Sequence, residues 1–407
     1  MKTLLWKVLA TTATTLLANA GSPDNRTDTS VLDETYIERE LSAAAEQIKT
    51  LIRATPPDSF PTTFEHGKPF FSDSRSWTSG FYPGTLWYLY EYTDDTELKE
   101  EGRRKLGVLE KEKNNRSTHD LGFMLYCSFG NAWRIAKKPH DAEVLMAGAN
   151  ALASRFNETV GCIRSWDFGQ NRWQFPVIID NMMNLELLNW ASRMSGEERY
   201  QELSKSHADK TLANHFRPDH STYHVVDYDT VSGEAVQHLT YQGIADESAW
   251  ARGQSWALYG YTMMFRDTRD SVYLDQAVKV ATYLLEHPGL PDDLIPYWDF
   301  DLAGTPGTCR DVSAAALNAS ALIELSAFVD AGRRARYMNT AEAILFNLGK
   351  APYRAKPGEA GGFLLKHSVG NFPGGTEIDV PLSYADYYYV EALIRFGQTM
   401  GFLTTNE

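Results

Sequence analysis

Two carboxylates stand where helices are expected to begin: Asp120 in Thr118-His119-Asp120-Leu121-Gly122-Phe123, and Asp180 in Val177-Ile178-Ile179-Asp180-Asn181-Met182-Met183-Asn184. Apolar neighbours withdraw water from a carboxyl, raise its pKa and keep a proton on it near neutral pH, which is what a general acid needs. Asp180 has such neighbours. Asn181 and Asn184 follow it in an otherwise apolar helix start, and burying such groups costs stability unless each has a partner or a task. Asp120 alone reads slightly more simply as a first-turn carboxylate answering the helix dipole.

The stretch HLTYQGIADESAWARGQSW (His238 to Trp256) adds an Arg, a Gln and two Trp at a loop-to-helix junction. Asp246 is expected to cap this helix with Glu247 in its first turn, so that Ser248, Arg252 and Trp256 share one face at i, i+4 spacing. A guanidinium fork matches a carboxylate and an indole offers a plate for a pyranose ring, so the pair suits a sugar acid better than a neutral sugar. A structural ion pair at Arg252, with the tryptophans in the core, is an equally weighted reading. His224 and Gln242 are candidates for contacts to sugar hydroxyls, although a histidine in a strand-like piece is more often structural. Trp77, Trp166, Trp173 and Trp298 lie in loops and are candidates for stacking on sugar rings.

Several chemistries lack their residues. The chain has no HExxH, no P-loop, no GxGxxG after a strand and no GxSxG elbow. The histidines lack zinc-ligand spacing, and Asp299–Asp301 leaves calcium open without an EF-hand pattern, so neither a metal nor a cofactor is expected. The formal charge of −14 argues against nucleic acid, while a small anionic oligosaccharide held by local contacts remains compatible. Cys127, Cys162 and Cys309 show no CxxC spacing and form no disulfide framework.

Residues 1–20 read as a secretory signal peptide, with Lys2 and Lys7, an apolar stretch around Val8 to Leu17, and Ala18-Asn19-Ala20 as a small-x-small cleavage pattern. That stretch is too short to span a membrane, and no later run approaches the ~20 apolar residues a span requires. Residues 21–32 are expected to be a flexible segment and 33–407 a single domain, exported to the periplasm or the extracellular space. Nothing in the composition speaks to oligomeric state.

Helical periodicity dominates the remainder and predicts twelve helices: 33–54, 79–92, 96–112, 119–136, 139–155, 178–193, 197–214, 247–266, 270–287, 310–328, 333–349 and 383–398. Short strands are expected only in pieces such as Tyr223–Asp227 and Gly362–Leu365. Helices starting near 79, 119, 178, 247, 310 and 383 are rich in small and aromatic residues and poor in charge, as buried helices are. Those between them carry charge on one face. Six buried and six exposed helices in succession predict an all-α (α/α)6 toroid, a six-hairpin barrel, although an open solenoid would show the same rhythm. The long connections 56–78, 156–177, 215–246, 288–309 and 350–382 precede the buried helices, and a rigid scaffold usually carries its binding site on such loops.

Seven segments together resemble the unsaturated glucuronyl hydrolases, glycoside hydrolase family 88: WTSGFYPGTLW (Trp77–Trp87), HDLGF (His119–Phe123), IIDNMMN (Ile178–Asn184), YQGIADESAWARGQSW (Tyr241–Trp256), PYWDFD (Pro296–Asp301), RDVSAAA (Arg310–Ala316) and YADYYYVEAL (Tyr384–Leu393). The resemblance implies an enzyme that removes the 4,5-unsaturated uronic acid left by polysaccharide lyases at the non-reducing end of an oligosaccharide. It does so by hydrating the ring double bond. By position, Asp180 resembles the family's general acid/base and Asp120 its auxiliary carboxylate. His224 and Gln242 resemble sugar contacts, Arg252 a carboxylate or pocket-shaping contact, and Trp77 and Trp256 stacking walls. Tyr241 departs from the histidine that many members carry before the Gln of the QG motif. The last loop, KHSVGNFPGGTE, has no clear hydroxyl-and-lysine cluster for a sulfate; Lys366, Ser368 and Thr376 are candidates only. Competing readings are a hydrolase of unsaturated galacturonyl-rhamnose, an inverting glycosidase using Asp120 and Asp180 as base and acid, and a secreted carbohydrate-binding protein without activity.

Overall fold

The alternation of charge along the chain becomes two concentric rings of helices. A computed structural model describes residues 31–404, so the expected signal peptide and nearly all of the expected flexible segment lie outside the described residues. The inner helices are α2 (Phe81–Thr93), α4 (a π-helical Gly122–Gly130 running into the α-helical Asn131–Ala136), α6 (Asn181–Ser195), α8 (Ala251–Thr268), α10 (Val312–Ser326) and α12 (Ser383–Met400). The outer helices are α1 (Glu34–Ala54), α3 (Thr96–Leu109), α5 (Pro139–Ala153), α7 (Arg199–Asn214), α9 (Ser271–Glu286) and α11 (Ala331–Leu348). In α8 every residue from Ala251 to Met264 is buried, whereas α11 buries only Tyr337, Ala341, Ile344, Leu345 and Leu348. Each inner helix packs on the next, and α12 returns to α2. That closure makes the architecture an (α/α)6 toroid and excludes the open solenoid.

The two ends of the toroid differ. Asp33, Asp95, Asp270 and Asp330 cap the outer helices α1, α3, α9 and α11 with their carboxylates, satisfying helix N–H groups that would otherwise lack partners. The inner helices α6, α8 and α12 have no side-chain cap. They begin instead from the long loops, where the short strands lie: β1 (Phe60–Glu65) with β2 (Lys68–Ser72), β3 (Phe156–Asn157) with β4 (Cys162–Ile163), β5 (Pro176–Ile178) with β6 (Val225–Tyr228) and β7 (Ala235–Leu239), and β8 (Ser368–Asn371) with β9 (Thr376–Val380). The strand expected at Gly362–Leu365 is not one; the pairing falls on β8 and β9 beyond it.

Three local features depart from the sequence reading. The first turns of α4 are π-helical, and the Asn184 side chain accepts the Phe123 N–H across the ring at 3.0 Å. Helix α8 begins at Ala251, four residues later than expected, because Ala251 and Phe300 exchange backbone hydrogen bonds with Trp298 and Ala249 and hold this stretch extended. Asp246 therefore caps nothing on α8 and accepts the Thr240 N–H instead. Two glycines permit the close packing at the toroid's mouth. A Cβ on Gly80 would collide with the Phe123 and Met124 carbonyls, and one on Gly122 would sit 2.5 Å from the Asn184 Cα.

Candidate active site

Sheet β5-β6-β7 assembles the central residues. Ile178 pairs with Val225 and the Ile179 N–H donates to the His224 carbonyl, which sets Asp180, next in chain, beside the His224 ring. Val225 in turn pairs with Leu239, and the chain beyond β7 turns back so that the Tyr241 and Gln242 N–H groups both donate to His224 Nδ1, at 3.1 and 3.2 Å. A nitrogen that accepts two N–H groups carries no hydrogen of its own, so the ring proton of His224 sits on Nε2, 3.6 Å from Asp180 Oδ2. Burial, then the Arg252 charge, hold the His224 pKa well below its usual value, and the imidazole is neutral.

Asp180 occupies the N-cap position of α6 without capping it, and its Oδ2 has no hydrogen-bond partner. The side chain is buried, and loss of water is the main reason its pKa is pushed up to about 7. Arg252 opposes that rise, Asp120 adds to it, and the Trp256 indole N–H opposes it slightly from a position short of a full hydrogen bond. Asn181 and Asn184, polar residues of the same helix start, are spent structurally. Asn181 donates to the Ile163 carbonyl, and Asn184 holds α4.

A cavity of about 330 Å³ opens at this mouth and is lined by Trp77, Asp120, Asp180, Tyr241 and Gln242 among the expected residues. Asp120 precedes α4; its Oδ2 accepts the Thr118 hydroxyl at 2.8 Å, and His119 Nε2 lies 3.2 Å from its Oδ1. Gln242 donates its amide to the Gly370 carbonyl at 2.8 Å, which leaves its side-chain oxygen uncommitted. Trp77 and Tyr384, ring centroids 4.9 Å apart, make one wall. Trp166, Phe168 and Tyr241 make the other, with Trp166 5.1 Å from Tyr241.

Four expected residues lie behind the lining: His224, buried beside Asp180, and Arg252, Trp256 and Ser248. The Arg252 guanidinium is buried and does not reach the cavity as a free fork. It pairs with Asp311 at 2.9 Å and donates to the Val369 and Gly370 carbonyls at 2.5 and 2.7 Å, tying α8 to β8. Of the two roles considered for it, the structure supports shaping the pocket. Trp256 is fully buried against Phe123 and Tyr388, so it is core and not a stacking surface. Ser248 precedes α8 and does not share its face; it hydrogen-bonds Asp299 at 2.7 Å. That contact, with the Ile244 N–H, occupies the Asp299 carboxylate considered for calcium, and among the described residues no cluster of His, Cys, Asp or Glu has metal-ligating geometry.

The sequence reading missed Glu377, Asn371 and Phe168, all in the lining. Of the three sulfate candidates only Thr376 lines the cavity; Lys366 faces Glu359 at 3.4 Å and Ser368 is buried. A larger cavity of about 540 Å³ lies toward the C-terminal ends of the inner helices. Its arginines are matched, Arg134 by Glu91, Arg193 by Asp267, Arg266 by Glu186 and Glu324, and Arg395 by Glu324. It is an ion-pair network closing the ring, while the unpaired acid sits in the smaller cavity.

No family model matches the chain. An unsaturated glucuronyl hydrolase of Formosa agariphila is 45% identical over 325 residues, covering 79% of this chain and 80% of that protein. The crystal structure of an unsaturated glucuronyl hydrolase specific for heparin matches with a TM-score of 0.88 at 46% identity, over 91% of this chain and 99% of that one. A variant of the Streptococcus agalactiae unsaturated glucuronyl hydrolase complexed with dGlcA-GalNAc6S matches with a TM-score of 0.78 at 29% identity, over 91% and 93% of the two chains. The fold and these likenesses define the class, a glycoside hydrolase built on an (α/α)6 toroid. Within that class the chain belongs to the unsaturated glucuronyl hydrolases, as the motifs from Trp77 to Leu393 imply.

Proposed function

We propose that the cavity removes a 4,5-unsaturated glucuronic acid from the non-reducing end of a lyase-generated oligosaccharide, with Asp180 as general acid/base. The observation that carries this reading is the Asp180 carboxyl, buried, uncapped, unpartnered at Oδ2 and with its pKa pushed up to about 7. A carboxyl in this state holds a proton at neutral pH and can deliver it. The proton goes to C4 of the C4=C5 bond, and the positive charge that develops at C5 and the ring oxygen is taken by water. Water's proton passes to a carboxylate, either the newly ionised Asp180 or Asp120. The resulting hemiketal opens at the C5–ring oxygen bond, and the hemiacetal left at C1 collapses to release the aglycone.

The surroundings support these assignments. A protonated imidazole beside Asp180 would pull its pKa down and strip the acid of its proton; the two backbone N–H groups on His224 Nδ1 keep that ring neutral. Gln242 is the proposed sugar contact and Trp77 and Tyr241 the facing aromatic walls, while His224, buried behind Asp180, acts through the Tyr241–Gln242 turn that its Nδ1 holds. The anionic character of the substrate and export by the leader at residues 1–20 belong to this proposal too. Turnover in deuterium oxide tests the chemistry. Hydration on the enzyme puts one deuterium on a single face of C4, read early in turnover, whereas cleavage at C1 alone frees a sugar whose ring opens to an enol that takes up deuterium at C4 without facial preference.

A further inference from the structure

A histidine stands behind each of the two carboxylates, and the two rings are set in opposite senses. His224 accepts two backbone N–H groups at Nδ1 and so turns a ring N–H toward Asp180. His119 Nδ1 lies 2.7 Å from the Ser165 carbonyl, which can only accept, so in this ring Nδ1 carries the hydrogen. Burial is the main reason the His119 pKa is lowered, and the ring is neutral, which leaves its Nε2 bare. The charges around it are Asp120 and the Arg155–Asp167 pair, closed at 2.9 Å.

The bare nitrogen faces another acceptor. Asp120 Oδ1 lies 3.2 Å from Nε2, and no donor among the described residues reaches that nitrogen. Asp120 Oδ2 already accepts the Thr118 hydroxyl, so Oδ1 is the oxygen left open. His119 is 1% exposed, whereas Asp120 reaches the cavity. A buried acceptor without a donor is costly, and facing it onto a carboxylate oxygen adds repulsion. One proton on Oδ1, directed at Nε2, removes both costs.

We propose that His119 is a positioning residue for the base of the reaction: water attacking C5 gives its proton to Asp120, and His119 Nε2 holds that proton by accepting a hydrogen bond from Oδ1–H. The inference rests on the reading given under Proposed function and selects Asp120 over Asp180 as the acceptor. In this step one water O–H bond breaks, the C5–O bond forms, and Asp120 passes from carboxylate to acid while His119 stays neutral. Asp180, ionised when its own proton went to C4, regains one from Asp120 through water after the product leaves. That restores the resting arrangement, with the site's proton on Asp180.

Two variants separate holding a proton from holding the fold. His119→Asn keeps an amide that can donate to the Ser165 carbonyl and puts nothing at the place of Nε2. His119→Phe fills the ring volume, and the Ser165 carbonyl retains its Arg155 donor at 3.2 Å. Followed by the ultraviolet absorbance of an unsaturated uronyl disaccharide, both are expected to lower kcat by about tenfold or more and to leave KM within about twofold. In an Asp120→Asn background neither should lower kcat further, because no acid forms at Oδ1 for Nε2 to hold. Wild-type kcat in His119→Asn, or losses that add in the double variants, would overturn the proposal. Nitrogen-15 NMR of the histidine-labelled full-length enzyme at about pH 7, with the His119 signals assigned by their loss in either variant, reads the ring directly. A protonated Nδ1 and a bare Nε2 are expected, and a ring protonated at both nitrogens would also overturn it. A wild type that leaves the double bond untouched sinks the proposed hydration itself, whereas wild-type turnover with a doubly protonated His119 sinks this inference alone.

Discussion

Replacing Asp180 by Asn should abolish the proposed chemistry and at the same time make the fold more stable, by an amount that grows with pH. In the unfolded chain this carboxyl titrates near the ordinary aspartate value of 3.8, and in the folded protein it is pushed up to about 7. Between those values the folded state binds more protons than the unfolded one, so wild-type stability falls as pH rises through this window and levels off above it. A shift of about three units corresponds to about 4 kcal/mol, and roughly 2–3 kcal/mol of it accrues between about pH 5 and pH 8. Asn has the same shape and no ionisation, so the variant escapes this penalty. Other titrating groups, including the buried Asp386 whose pKa is likewise raised to about 7, are common to both proteins and cancel in the comparison. Urea unfolding of wild type and Asp180→Asn, followed by tryptophan fluorescence at both pH values, measures the margin between them. A margin in favour of Asn that widens by a few kcal/mol toward pH 8 is expected. A margin that stays constant or shrinks would refute the claim that burial holds the proton on Asp180.

The same ionisation should appear in turnover: kcat/KM falls as pH rises through about 7, because the protonated fraction of Asp180 falls there, and a flat profile up to pH 9 would contradict its role as acid. His224→Ala removes the acceptor of two backbone N–H groups, each costing ~1–3 kcal/mol if left bare, and so loosens the Tyr241–Gln242 turn. Steady-state kinetics should show KM for the unsaturated disaccharide rising by about tenfold or more. Arg252→Met leaves Asp311 buried without its cation and should cost about 3–5 kcal/mol, visible as a fall in Tm of several degrees. If the Tm of Arg252→Met matches wild type, the buried pair is not the anchor of the β8 hairpin.

All twelve helices were legible in the sequence because burial and exposure alternate helix by helix, and charge marks the exposed ones from Thr96 to Leu348. The toroid's closure was not, since it depends on α12 meeting α2, a contact nearly three hundred residues apart that leaves no local pattern. Strands of two to five residues cannot show alternation, so sheet β5-β6-β7 escaped notice apart from the piece around Val225. Asp180 stood out because Val177, Ile178 and Ile179 announce its burial. Arg252 and Trp256 were harder. Helical spacing put them on one face, but whether that face meets ligand or protein depends on Asp311, Val369 and Gly370, and two of those partners are backbone carbonyls that any residue supplies. Glu377 was invisible for a related reason: its exposure to the cavity follows from its placement opposite Gly370, not from its neighbours in sequence.

The most direct test of the account is the ultraviolet absorbance of the conjugated double bond in an unsaturated uronyl disaccharide, followed with wild type and with Asp180→Asn at about pH 6, where the wild-type acid holds its proton. Loss of absorbance with wild type and none with the variant is the predicted result. Persistent absorbance with both, or an equal loss with both, would contradict hydration of the double bond by Asp180.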